Sequence, residues 1–223
     1  MKSLFCTFIL LSCLGPITTA SAETQKHFIN AKYGQYTIDQ TDQNLTYTTD
    51  EQYQSCILFW CFDSYRQSTT DIAINKHSDL GLGLEYEWDM HKGLILSGEY
   101  LYFENLYTAS NTPDTQGTIS TTLMSASIKQ YFNRQGSFRP FIGIGHGWAQ
   151  VEFTGPLAGE LTGFFTVARA GVLYQFGRVG VMFEYLYLKD HGIEPDNYGP
   201  GQVYDSYNMD GHAIMLGLRI GIH

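Results

Sequence analysis

Leu80-Gly81-Leu82-Gly83-Leu84-Glu85-Tyr86-Glu87-Trp88 decides the fold. Large apolar side chains alternate strictly with glycine and glutamate. A strand sends successive side chains to opposite faces, so this stretch has one apolar face and one small or charged face. A helix would scatter both sets around its circumference. The same alternation closes the chain, where Ile214, Leu216, Leu218, Ile220 and Ile222 alternate with Met215, Gly217, Arg219 and Gly221. No long segment carries a helical apolar stripe, and Tyr (16), Phe (14) and Gly (23) are abundant, so the composition favours an all-β chain.

Eight segments read this way, at about 27–39, 77–89, 93–105, 119–132, 138–152, 163–176, 179–190 and 210–222. The connections alternate in length. A long loop at about 40–76 is followed by a tight Met90-His91-Lys92 turn. Medium loops near 106–118 and 153–162 are separated by Asn133-Arg134-Gln135-Gly136. The tight Gly177-Arg178 turn precedes a long loop near 191–209. In an up-and-down antiparallel sheet every second connection lies at the same end. The long loops therefore share one end and the tight turns the other, as in outer-membrane barrels. An even strand count leaves both termini at the short-turn, periplasmic end.

Strands cross a hydrocarbon core only as a closed barrel, because an open edge leaves backbone groups unpaired. The apolar face must then look outward. The charged set points into the lumen: Glu85, Glu87, Glu99, Lys129, Arg169, Glu184 and Arg219. Acids and bases of mixed sign neutralise each other there, and pairing is a requirement of the reading. Eight strands enclose a space that side chains fill, which argues against an open pore. An apolar-lumen carrier needs the reverse pattern. Aromatic residues near strand ends read as interfacial girdles: Trp88, Phe132, Phe138, Tyr174 and Phe176 at the short-turn end, and Tyr100, Tyr102, Trp148, Tyr185 and Tyr187 at the other.

The amino terminus reads as an export signal over residues 1–22. Lys2 is followed by an apolar run from Leu4 to Leu14, a Gly15-Pro16 break and an Ala20-Ser21-Ala22 cleavage site. The run is shorter than the roughly 20 residues a membrane-spanning helix needs, and no later segment is apolar enough. The remainder, 23–223, reads as one barrel domain. Removing residues 1–22 takes away Lys2 and no acid, which moves the formal charge from −9 to −10. This acidity excludes nucleic acid as a partner.

Cys56 and Cys61 remain outside the signal, and an oxidising compartment favours a disulfide between them. So small a loop is worth about 2 kcal/mol in the chain-entropy model, a local staple. Two sulfurs without neighbouring ligands do not make a metal site. The bridge would hold Ile57, Leu58, Phe59 and Trp60 near the tip of the longest outer loop. Such a cluster either anchors a partner or packs back onto the loop or the barrel rim.

Phe138-Arg139-Pro140-Phe141-Ile142-Gly143-Ile144-Gly145-His146-Gly147-Trp148 and Phe183-Glu184-Tyr185-Leu186-Tyr187 resemble strands of the small outer-membrane barrels of the OmpA, OmpX and opacity-protein kind. Gly217-Leu218-Arg219-Ile220-Gly221-Ile222 resembles the C-terminal signal read by the barrel-assembly machinery, although that signal commonly ends on an aromatic residue. The resemblance implies an eight-stranded transmembrane β-barrel in the bacterial outer membrane. It implies outer-membrane lipids and the assembly machinery as partners, a monomer, no cofactor, and adhesion, host or matrix contact, or envelope integrity as the role.

Some such barrels are enzymes. Lipid A deacylase barrels use a His, a Ser two residues later and a separate Glu, and His77-Ser78-Asp79 lacks that spacing. Asp190-His191 and Asp210-Gly211-His212 flank the last long loop in the manner of the acid–His pair of omptin-type proteases, which are larger, ten-stranded barrels. A nucleophile, base and orienter cannot be assembled from these, so no catalytic residue is assigned.

Overall fold

The computed structural model describes residues 27–38, 43–57, 60–74, 79–109, 116–134, 136–154, 159–195, 202–204 and 208–222. The segment read as an export signal, and His77 and Ser78, lie outside the described residues. The strands are β1 (His27–Ile38), β2 (Gln43–Ile57), β3 (Trp60–Ile74), β4 (Asp79–His91), β5 (Leu94–Ala109), β6 (Gln116–Tyr131), β7 (Phe138–Thr154), β8 (Gly159–Phe176), β9 (Val179–Pro195), β10 (Gln202–Tyr204) and β11 (Gly211–Ile222).

Eight of them close a barrel. β1 pairs antiparallel with both β4 and β11. The circuit continues β4–β5–β6–β7–β8–β9–β11, every pair antiparallel. Closure leaves the barrel no free edge, the condition for crossing a bilayer with strands. The region expected as one long loop at 40–76 instead contains β2 and β3, which form a hairpin from Gln43↔Ile74 to Ile57↔Trp60. Likewise β10 lies within the last loop and pairs with β2. The strands flanking the two medium loops are also longer than the alternation alone indicated.

The tight turns gather at one end, each with its own chemistry. Lys92 (φ 49°) and Gly93 (φ 83°) link β4 to β5, the all-positive geometry of a two-residue type I′ hairpin. Gly177 (φ 59°) opens the turn between β8 and β9. Between β6 and β7, Asn133 takes a positive φ of 55°, and its side-chain amide donates to the Phe138 carbonyl at 2.9 Å.

Alternation sorts the side chains as a membrane requires. Leu80, Leu82, Leu84, Tyr86 and Trp88 face outward, and Leu82 is 62% exposed, while Glu85 and Glu87 are fully buried. Trp88, Phe132, Phe138, Tyr174 and Phe176 are exposed at the short-turn end, and Tyr100, Tyr185 and Tyr187 toward the other. The apolar surface then stops while the strands continue. The next outward residues are Gln35, Glu104, Gln150, Glu152, Glu160 and Lys189.

The interior changes along the same axis. At the short-turn mouth Ile95, Tyr131, Phe141, Leu173 and Met182 form a small apolar floor. Above it lies a charged layer. From the upper edge of the outer apolar band onward the lumen is an apolar core that includes Leu101, Phe103, Leu123, Val151, Phe153, Leu161, Phe165, Leu188 and Ile193. Inward glycines make room for its rings: a Cβ at Gly81 would lie 2.2 Å from the Phe103 ring, and one at Gly147 2.8 Å from that of Phe165.

Candidate functional site

The charged layer is built from seven strands. β4 contributes Glu85 and Glu87, β5 Glu99, β6 Lys129, β8 Arg169, β9 Glu184 and β11 Arg219, all buried. β1 adds two residues absent from the sequence-based set, Asn30 and Lys32. Their signal was present, since Asn30 and Lys32 alternate with outward Ile29, Ala31 and Tyr33.

Lys32 is the centre of this layer. Its Nζ lies 2.8 Å from Glu85, 2.5 Å from Glu99 and 2.5 Å from Glu184. Lys129 bridges Glu85 (2.5 Å), Glu87 (3.1 Å) and Glu184 (3.5 Å). Arg169 pairs with Glu99 at 2.5 Å and approaches Glu184 and Glu85 at 3.4 and 3.6 Å. Arg219 pairs with Glu87 at 2.7 Å, and its guanidinium sits 3.5 Å above the Phe28 ring. Asn30 donates to Glu85 at 2.8 Å, and the Tyr131 hydroxyl donates to Glu87 at 3.0 Å. Four carboxylates thus meet four cations, and each carboxylate touches at least two.

Three of these acids, Glu85, Glu99 and Glu184, place carboxylate oxygens within 4.8 Å of one another, a spacing that suits a metal ion. The Lys32 ammonium already bonds to all three, so their negative charge is spent within the protein. A desolvated cluster of this kind acts as a plug: moving an ion through it means breaking pairs that water cannot replace.

At the outer rim the acids serve the backbone. Asp190 accepts N–H bonds from Met209 (2.5 Å) and Gly192 (3.1 Å). Asp210 accepts from the Asp190 amide at 2.9 Å and pairs with Lys189, whose ammonium the neighbouring carboxylate holds above the usual lysine range. These bonds tie the top of β9 to that of β11. His191 is hydrogen-bonded to Thr166 at 2.7 Å, and His212 stacks on Tyr185 with ring centres 6.0 Å apart. Asp79 belongs to β4, while its sequence neighbours His77 and Ser78 are not among the described residues.

The hairpin β2–β3 carries the remaining candidates. Its backbone register sets Cys56 opposite Cys61 and Ile57 opposite Trp60, with Leu58 and Phe59 between them, outside the described residues. The hairpin joins the barrel wall through Ile72 and Ala73 on β5, and β10 joins it at Tyr47 to Thr49. From Asp50 to its tip it pairs only with itself among the described residues. Eight residues of extended chain reach about 27 Å.

Among solved structures the chain is similar to the outer membrane protein OprG from Pseudomonas aeruginosa. The TM-score is 0.59 at 13% identity, over 89% of this chain and 97% of that one. It is also similar to Neisserial surface protein A, with a TM-score of 0.50 at 14% identity, over 88% and 97%. At such identity the likeness establishes the fold. No protein-family model and no curated protein matches the chain.

Proposed function

Taking the chain as a small eight-stranded β-barrel of the bacterial outer membrane, we propose that the barrel is a sealed anchor and that the outer hairpin does the work, making contact with a host, matrix or neighbouring-cell surface. The filled lumen carries this reading. A charged layer and a broad apolar core occupy the interior, which argues against a solute path and moves attention to what the barrel displays. The displayed element has suitable chemistry. The four residues between Cys56 and Cys61 in the sequence, Ile57, Leu58, Phe59 and Trp60, are all apolar, and Phe and Trp are favoured anchors in protein contacts. The register of Cys56 and Cys61 supports a disulfide that would stiffen the tip and lower the ordering cost of binding. The same reading makes the protein non-enzymatic, because the rim acids are engaged with backbone amides and Lys189.

The test is attachment of cells displaying the protein to epithelial monolayers or immobilised matrix. Phe59→Ser with Trp60→Ser is expected to lower attachment several-fold, while the barrel keeps its heat-dependent shift in gel mobility. Unchanged attachment would remove the contact role and leave envelope integrity, to be read from detergent sensitivity of a deletion strain. Stepwise conductance in planar bilayers would instead argue for a pore.

A further inference from the structure

We infer that the lipid-facing wall carries a specific site for one acyl lipid, with its chain in a groove across β4 to β8 and its phosphate-bearing head against His146 and Thr166. The inference rests on one cross-strand row. Register places Tyr86, Gly98, Ala126, His146 and Thr166 side by side on the outer surface. The row above runs through Tyr100, Met124, Trp148 and Phe164, and the row below through Leu96, Ile128 and Ile144. Large side chains therefore flank a floor that narrows to glycine and alanine at its centre.

The result is two adjoining depressions. One, of about 600 Å³, is bounded by Leu84, Tyr86, Gly98, Tyr100 and Met124. The next, of about 500 Å³, is bounded by Leu96, Ala126, Ile128, Ile144, His146 and Thr166. A Cβ placed on Gly98 would meet nothing within 4 Å, so the floor is open there. Four strand spacings make the groove about 19 Å long, the scale of a fatty acyl chain.

The groove also has a direction. Gly98 lies four residues from the short-turn end of β5, and Thr166 lies ten from that of β8. The groove thus climbs toward the outer leaflet and ends just beneath Trp148 and Phe164, where the apolar band gives way to Gln150 and Thr162. At that end the wall turns polar. His146 Nδ1 faces the Thr166 hydroxyl at 3.4 Å, Thr166 is hydrogen-bonded to His191 at 2.7 Å, and the His146 ring stacks on Phe164. The His146 side chain makes only the one long hydrogen bond to Thr166 among the described residues, and a polar side chain at the edge of a hydrocarbon-facing surface gains from a further polar partner. An amphiphile with its head at His146 supplies one, and the apolar groove below accepts its tail.

The experiment uses the folded barrel in non-ionic detergent, with Trp60 and Trp88 changed to Phe so that Trp148 reports alone. Brominated phosphatidic acid and brominated diacylglycerol with identical chains are titrated in as quenchers. Phosphatidic acid is expected to quench at a concentration about three- to tenfold lower, the scale of one or two exposed hydrogen bonds. His146→Ala should erase that difference, and Gly98→Leu should weaken quenching by both lipids. Inorganic phosphate should not compete at millimolar levels; if it does, the site is an anion site without a tail groove and the inference fails. Equal quenching by the two lipids in the parent protein, or indifference to Gly98→Leu, overturns it as well. Gel mobility confirms that each variant is folded.

Discussion

The lower and upper storeys of this barrel obey opposite rules. In the lower storey the outside is apolar and the inside is charged: Leu84 and Tyr86 face out around Glu85, and Lys32 sits among three carboxylates. In the upper storey the outside is polar and the inside apolar, with Gln150 and Glu152 flanking buried Val151. One sheet runs through both. The surroundings differ: hydrocarbon demands an apolar exterior and lets the lumen be polar, whereas water demands the reverse. The upper storey is therefore a small soluble barrel continued upward from a membrane one.

The two storeys should respond differently to substitution. Lys32→Met leaves Glu85, Glu99 and Glu184 short of a cation and is expected to cost about 3–5 kcal/mol, read from urea unfolding in lipid vesicles. Adding Glu184→Gln should restore part of that loss, because the partners are coupled through one network. Phe153→Ala in the upper core should cost a similar amount, about 3–5 kcal/mol, through a cavity, and the same Glu184→Gln change should not rescue it. Full additivity in both cases would erase the distinction between a charge-held and a packing-held storey.

The outer surface sharpens the same comparison. Leu84→Arg puts a charge into the lipid-facing band and should cost about 2–4 kcal/mol, whereas Gln150→Arg, above the band, should lie within about 0.5 kcal/mol of the parent. Gly81→Ala forces a methyl group into the Phe103 ring and is expected to cost about 1–3 kcal/mol. Tyr36→Phe removes the hydroxyl donated to the Met209 carbonyl and should cost about 1 kcal/mol. Each is measured by the same urea titration.

The lower storey was legible because hydrocarbon enforces its alternation. A glutamate between Leu84 and Tyr86 has only one direction in which to point. Lys32 escaped the sequence-based set although Ala31 and Tyr33 assign it inward by the same rule. It is also the residue that balances the layer. The upper storey was harder to see because its alternation has the same period, and only the height at which the membrane ends gives it the opposite meaning. The hairpin β2–β3 was read as a loop for a third reason. Its sequence from Thr46 to Tyr53, Thr-Tyr-Thr-Thr-Asp-Glu-Gln-Tyr, is polar at nearly every position. A ribbon with polar residues on both faces has no hydrophobic alternation to detect.

The height at which the rules switch is the central claim, and it can be measured along one strand. Nitroxide labels placed singly at the outward positions Ile142, Ile144, Trp148, Gln150, Glu152 and Thr154 of β7, with Cys56 and Cys61 changed to Ser, report collisions with oxygen in lipid and with a nickel chelate in water. The account predicts high oxygen and low nickel accessibility through Trp148, and the reverse from Gln150 upward. Oxygen-dominated accessibility continuing through Glu152 and Thr154 would place the upper storey inside the membrane and contradict it.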